Sequence, residues 1–219
     1  MKLSHLSDQQ FNGFSIPVTM LLACSLLALI SCEQANVNKE VKPLVTIQNL
    51  QTAYARACQH SKMYALFVRQ AEKEHNKKIA GLFRALSRSE EIRAANHAAS
   101  LLRNGMEAVP PKSENVVVGT VEQTLKMAMN SEDLQGSKMY PDMITTAEAE
   151  HDTGDVRQFT MAKGIDARHY ELIFEAINNI GDIAKAQFTI CSGCGYVFAS
   201  GPEDDCPVCH ASKNMIEKL

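Results

Sequence analysis

The chain of 219 residues has no tryptophan, a net charge of only −3, and no run of basic residues. The weak charge and the missing basic stretch argue against an electrostatic footprint for nucleic acid, so no nucleic-acid partner is expected. Runs of β-branched residues in the middle of the chain are short, as at Val116 to Val118, and Ala, Met, Leu, Glu and Lys dominate there. With 45% hydrophobic residues, that composition disfavours a sheet-based core and predicts an all-α bundle. The apolar stretch Ile16 to Ile30 is too short for a comfortable membrane span and has the length of a signal-peptide core. The overall length suits one medium domain plus a small module.

The strongest positive signal is at the C-terminus. Cys191-Ser-Gly-Cys194 and Cys206-Pro-Val-Cys209 are two tight pairs separated by eleven residues. Two residues between cysteines let both thiolates of one turn reach the same ion. A second such turn completes a tetrahedral all-sulfur site for zinc or a single iron. Gly193, Gly195 and Pro207 suit turns that aim amide N–H groups at sulfur. Two disulfides are the competing arrangement, but paired knuckles in so short a segment favour metal. His210, next to the last cysteine, is an alternative ligand, and Cys58 reads as a small core residue.

The N-terminus reads as a targeting segment. Its apolar stretch ends in Leu29-Ile30-Ser31-Cys32, which resembles a bacterial lipobox whose cysteine is lipidated and becomes the mature N-terminus. Leu21-Leu22-Ala23-Cys24 is a second match, but cleavage there leaves the apolar Leu26 to Ile30 exposed. Residues 1–31 are therefore expected to be a lipoprotein signal peptide, with an uncleaved anchor as the alternative. Polar residues Glu33 to Lys42, followed by Pro43, predict a tether over 32–45. The expected location is outside the cytoplasmic membrane, facing periplasm or cell exterior and held by lipid on Cys32.

Between these ends the pattern predicts four helices, 46–73, 76–104, 117–150 and 154–184, broken at Gly105 to Pro111. The halves repeat at an offset of 76: Ala71-Glu-Lys-Glu-His75 echoes Ala147-Glu-Ala-Glu-His151, Met63-Tyr64 echoes Met139-Tyr140, and Phe83 echoes Phe159. A duplicated helix hairpin makes a pseudo-symmetric four-helix bundle. Heptad stripes turn Ile79, Phe83, Leu86, Glu90, Arg93 and His97 inward on the second helix, and Phe159, Ala162, Asp166, His169, Ile173, Ala176 and Ile180 on the fourth. The first helix offers Ala53, Ala57, His60 and Tyr64, and the third Leu125, Ala128, Glu132 and Gln135. Glu90, Glu132, Asp166 and His169 thus form a polar layer inside an apolar bundle. Burying charge costs several kcal/mol per ion unless it is paired or metal-bound. Carboxylates on facing helices with Glu-x-x-His turns are the di-iron arrangement. Here Asp166-Ala-Arg-His169 keeps one such turn, and Glu90-Glu-Ile-Arg93 has arginine for histidine.

Over residues 46 to 219 the chain resembles the rubrerythrin family. The resemblance is carried by Cys191-Ser-Gly-Cys194-Gly-Tyr196, Cys206-Pro-Val-Cys209, the ending Lys213 to Leu219, Met139-Tyr140-Pro141 and the ligand spacing. It implies a ferritin-like bundle over 46–185 and a rubredoxin-like module over 186–219. It also implies peroxide reduction at a di-iron centre, fed by electrons through an iron at the four cysteines, often across a head-to-tail homodimer. Mapped residue by residue, Glu90 falls at the bridging carboxylate, Glu132 at the first carboxylate of the third helix, and Asp166 and His169 at the fourth-helix pair. The first-helix glutamate is Ala57, the second-helix histidine is Arg93, and the second carboxylate of the third helix is Gln135. These losses cluster on one metal position, so a complete di-iron centre is not expected. The alternatives left are a single metal, or an arginine–carboxylate network without one. His60 is a possible substitute first-helix ligand, and Tyr64 and Tyr140 are candidates to hydrogen-bond ligand carboxylates. Electron carriage with a silent bundle, or a structural zinc ribbon, are the rival functions.

Overall fold

The computed structural model describes residues 44–112, 115–179, 187–201 and 204–219. The signal segment 1–31, both candidate cysteines Cys24 and Cys32, nearly all of the tether and Ile180 lie outside the described residues. Helix α1 runs over Leu44–Lys73, two residues before its expected start, and α2 over Lys77–Arg103. The third rod is α3, Val121–Leu134, a π-helical turn, Gln135–Met139, and α4, Tyr140–Ala149. Helix α5 spans Thr153–Asn178.

The duplication in the sequence is visible in the turns. His75 and His151 adopt left-handed conformations with φ of 57° and 58°. Histidine is among the non-glycine residues that tolerate that region best, and one such residue closes a helix end sharply. Asn76 and Asp152 follow, and their side chains accept from the backbone N–H of Ile79 and Asp155 to start α2 and α5. The matched histidines are therefore helix-ending residues as well as markers of the repeat.

Two features of the third rod depart from a continuous helix over 117–150. It starts at Val121, because Thr120 and Gln123 form a reciprocal capping box. The π turn then inserts about one extra residue per turn. Glu132 and Tyr140, eight positions apart, would diverge by about 80° on a regular helix. With the extra residue both face inward and are buried.

The polar layer lies between two apolar clusters. One contains Tyr64, Phe67, Phe83, Leu86, Leu125 and Ile173, and the other Leu50, Leu101, Tyr140, Met143 and Phe159. Tyr64 stacks on Phe83 at 5.9 Å, and its repeat partner Tyr140 lies 6.2 Å from Phe159. Every inward position expected on α1, α2, the third rod and α5 is buried, Ile180 aside. The C-terminal module is a three-stranded antiparallel sheet of order β2-β1-β3, formed by β1 Thr189–Cys191, β2 Val197–Phe198 and β3 Ile216–Lys218. It packs on α2 and α5. Asn96 donates to the Gly193 carbonyl at 2.9 Å, Arg168 donates to the Val197 carbonyl at 3.1 Å, and a Cβ added at Gly164 would meet the Val208 side chain at 3.6 Å. Ile190 and Val197 join the larger bundle core, so module and bundle share one apolar interior.

Candidate metal centres

The module gathers Cys191, Cys194, Cys206 and Cys209, whose sulfurs all lie within 4.8 Å of one another. Sulfur pairs Cys191–Cys209 and Cys194–Cys206 are 3.6 and 3.5 Å apart, and all four cysteines are free. Those gaps are far beyond a disulfide bond. They approach the roughly 3.8 Å tetrahedral edge set by metal–sulfur bonds of about 2.3 Å. Backbone amides of Gly193 and Cys194 point at the Cys191 sulfur, and those of Val208 and Cys209 at Cys206. Hydrogen bonds from the Cys191 and Cys194 thiols lower the Cys206 thiol, and the same sharing raises Cys191 and Cys194. His210 is exposed and outside the cluster.

The bundle brings together Glu90 from α2, Glu132 from α3, and Asp166 and His169 from α5, all buried and with ligand atoms within 4.8 Å. His169 Nδ1 lies 3.5 Å from Glu90 Oε1 and 3.4 Å from Glu132 Oε1. Ligands about 2.1 Å from one ion in a tetrahedron sit about 3.4 Å apart. Burial raises all three carboxylic acids above their ordinary range, although the Arg93 guanidinium pulls each of them down. Burial, helped by Arg93, pushes His169 down to about 3, leaving a neutral imidazole.

Arg93 is fully inside this layer. Its Nη1 is 2.6 Å from Glu90 Oε1 and 2.5 Å from Asp166 Oδ1, and its Nη2 donates to the Tyr140 hydroxyl at 2.8 Å. Although burial opposes its charge, Asp166 and Glu90 raise its pKa well above the usual value. Ala57, expected to mark a lost ligand, is plain apolar core, and Gln135 turns away to donate to His60 Nδ1 at 3.1 Å. His60 also bonds Ser131 through Nε2 at 2.9 Å, so both ring nitrogens are engaged and it is no substitute ligand. Tyr64 donates to the Glu132 carboxylate as expected. Tyr140 does not reach a carboxylate; it serves Arg93 and approaches His97 Nε2 at 3.3 Å. Cys58 is half-buried beside Tyr54 and outside the core.

An arginine–carboxylate network alone leaves this layer incomplete. Glu90 Oε2, Glu132 Oε2, Asp166 Oδ2 and His169 Nδ1 are buried without a hydrogen-bond partner, while Asp166 Oδ1 is held by the Arg93 guanidinium. Orphaned acceptors of this kind are what a cation satisfies. Charge gives the same answer. With all three carboxylates ionised, one guanidinium leaves two negative charges for a bound cation to balance. The donor set fits a single hard or borderline metal such as iron. Ser89, which pattern analysis did not single out, is also placed here: its hydroxyl is 2.8 Å from His169 Nε2.

Comparison with known proteins agrees with this geometry. A family model described as Rubrerythrin matches residues 48–177. Nigerythrin from Nitratidesulfovibrio vulgaris is 27% identical over 77% of this chain and 84% of its own length. A rubrerythrin from Porphyromonas gingivalis is 26% identical over 85% of this chain and 96% of its own. The solved structure of fully reduced, all-ferrous nigerythrin superposes with a TM-score of 0.72, covering 80% of this chain and 86% of that one.

Proposed function

Because the chain belongs to the rubrerythrin family and is a non-haem iron redox protein of that type, we propose that it reduces peroxide slowly at a one-metal bundle centre. In this reading Cys191, Cys194, Cys206 and Cys209 hold one iron, and Glu90, Glu132, Asp166 and His169 hold another. The observation that carries it is the set of orphaned carboxylate and imidazole atoms facing one another beside Arg93. Reduction of peroxide to two waters takes two electrons and two protons. Iron held at the two sites would pass the electrons singly, with the four-thiolate site as the point of entry from the external donor. The protein supplies the rest. Arg93 fixes a permanent positive charge where a second metal would stand, and Tyr64 holds the Glu132 carboxylate in orientation. The two aromatic clusters keep the layer dry, which strengthens every charge interaction inside it. Tyr140 and His97 extend a hydrogen-bonded line from Arg93 toward half-buried Gln158.

The losses at Ala57 and Gln135 favour a second reading, an electron carrier or structural metal-binding protein whose bundle is catalytically silent. One experiment separates them. Four thiolates on iron give strong visible absorption that bleaches on reduction, and added hydrogen peroxide should restore the colour over minutes. Colour that bleaches but ignores peroxide would select the electron carrier. A colourless protein with one zinc per chain would remove the redox reading, because zinc has no accessible redox change.

The lipobox pattern and polar tether support export and anchoring through lipid on Cys32, and we include a homodimer and a separate electron donor in the same reading. Cys32→Ala should abolish fatty-acid labelling. Labelling that survives this change would refute the assignment.

A further inference from the structure

Ser89 lies on α2 immediately before the ligand Glu90 and is fully buried. Its hydroxyl is 2.5 Å from the Gly195 carbonyl oxygen and 2.8 Å from His169 Nε2. A carbonyl oxygen only accepts, so the single hydroxyl proton of Ser89 goes to Gly195. The Ser89 oxygen must then accept from His169, which places the imidazole proton on Nε2. Nδ1 is left as a bare lone pair, and it is this atom that faces Glu90 and Glu132. The tautomer of a bundle ligand is therefore set by a peptide carbonyl of the four-cysteine module, on the residue following Cys194.

The contact is close. Gly195 has φ of 92°, and a Cβ there would lie 2.8 Å from the Ser89 carbonyl oxygen and 3.0 Å from its hydroxyl oxygen. Glycine is required both by the backbone conformation and by the approach of α2. Asn96 to the Gly193 carbonyl and Arg168 to the Val197 carbonyl flank the same contact and hold the module in register.

We infer that Ser89 is a positioning residue that makes metal binding in the bundle depend on docking of the C-terminal module. A histidine ligand whose outer nitrogen is fixed binds metal better, and losing such a partner costs about 10- to 100-fold in affinity. The module thus prepares the bundle ligand as well as carrying its own metal site. This inference rests on the single-metal reading of the bundle.

The test uses the full chain with the four-cysteine site loaded, titrated with Fe(II) alone under anaerobic conditions. Ser89→Ala should weaken bundle binding about 10- to 100-fold and leave the four-thiolate absorption unchanged. Gly195→Ala should produce a similar loss by pushing the module carbonyl away. Combining the two should add little to the larger single effect, because both break one chain of hydrogen bonds. A nitrogen NMR spectrum of ¹⁵N-histidine-labelled protein, before bundle loading, gives an independent readout. His169 should be the Nε2–H tautomer in the unaltered chain and should lose that bias in Ser89→Ala. Unchanged affinity or an unchanged tautomer in Ser89→Ala overturns the assignment. If the unaltered chain takes up no bundle metal, the single-metal reading falls, and the tautomer alone decides the role of Ser89.

Discussion

Arg93→Leu is expected to destabilise the fold by about 3–5 kcal/mol, the range for removing one partner of a buried ion pair. That is a large share of the roughly 5–15 kcal/mol that holds a domain together. Arg93 faces Glu90, Asp166 and Tyr140 at hydrogen-bonding distance, and all of these groups are cut off from water. Leucine fills most of the space but leaves the carboxylates without their counter-charge. They must then bind protons, whose raised pKa values already show how poorly charge is tolerated there. Chemical denaturation of the two proteins measures the difference. A variant within about 0.5 kcal/mol of the parent, the range of an ordinary surface change, would mean that Arg93 does not balance the layer.

The second large effect is a gain. Changing Ala57 to Glu, Arg93 to His and Gln135 to Glu together should add a second metal to the bundle. The three changes remove a fixed cation and supply two carboxylates and an imidazole at the positions where the resemblance implies metal ligands. Two-metal chemistry needs both sites filled. The peroxide reduction rate should therefore rise by at least about tenfold, equivalent to about 1.4 kcal/mol of barrier. Metal analysis and stopped-flow kinetics on the triple variant test this. A triple variant that folds, binds one bundle metal and gains no rate would show that the losses at these positions are not what silences the second site.

The inward stripes were legible because they depend on helical period alone. Glu90, Arg93 and His97 recur at the spacing of one helix face, as do Asp166 and His169, and all are buried. The four-cysteine cluster was legible because the spacing of each pair restricts the geometry locally. Pairing of Arg93 with Glu90 and Asp166 followed from charge and matched height along the bundle. What escaped was mostly long-range. Ser89 sits among exposed-looking polar residues, and its partners are 80 and 106 positions away. No local pattern marks such a pair. The π turn reads as continuous helix in any periodicity, and Gly136 is its one local hint; a Cβ there would lie 3.6 Å from the Asp166 side chain. Tyr140 was expected at a carboxylate because its repeat partner Tyr64 does bind one. Tyr140 instead accepts from the buried Arg93 guanidinium, a partner that Tyr64 does not have. His60, a possible ligand from sequence, has both ring nitrogens engaged by Ser131 and Gln135, partners 71 and 75 positions away.

The central claim is that the bundle holds one metal, with Arg93 standing where another would be. Iron per chain in the unaltered full-length protein, loaded anaerobically with Fe(II) and freed of loosely bound metal, measures this directly. The account expects two irons, one at Cys191, Cys194, Cys206 and Cys209 and one at Glu90, Glu132, Asp166 and His169. Three tightly bound irons would contradict it by placing a full pair in the bundle beside a buried arginine, and a single iron would contradict it by leaving the orphaned carboxylates without a cation.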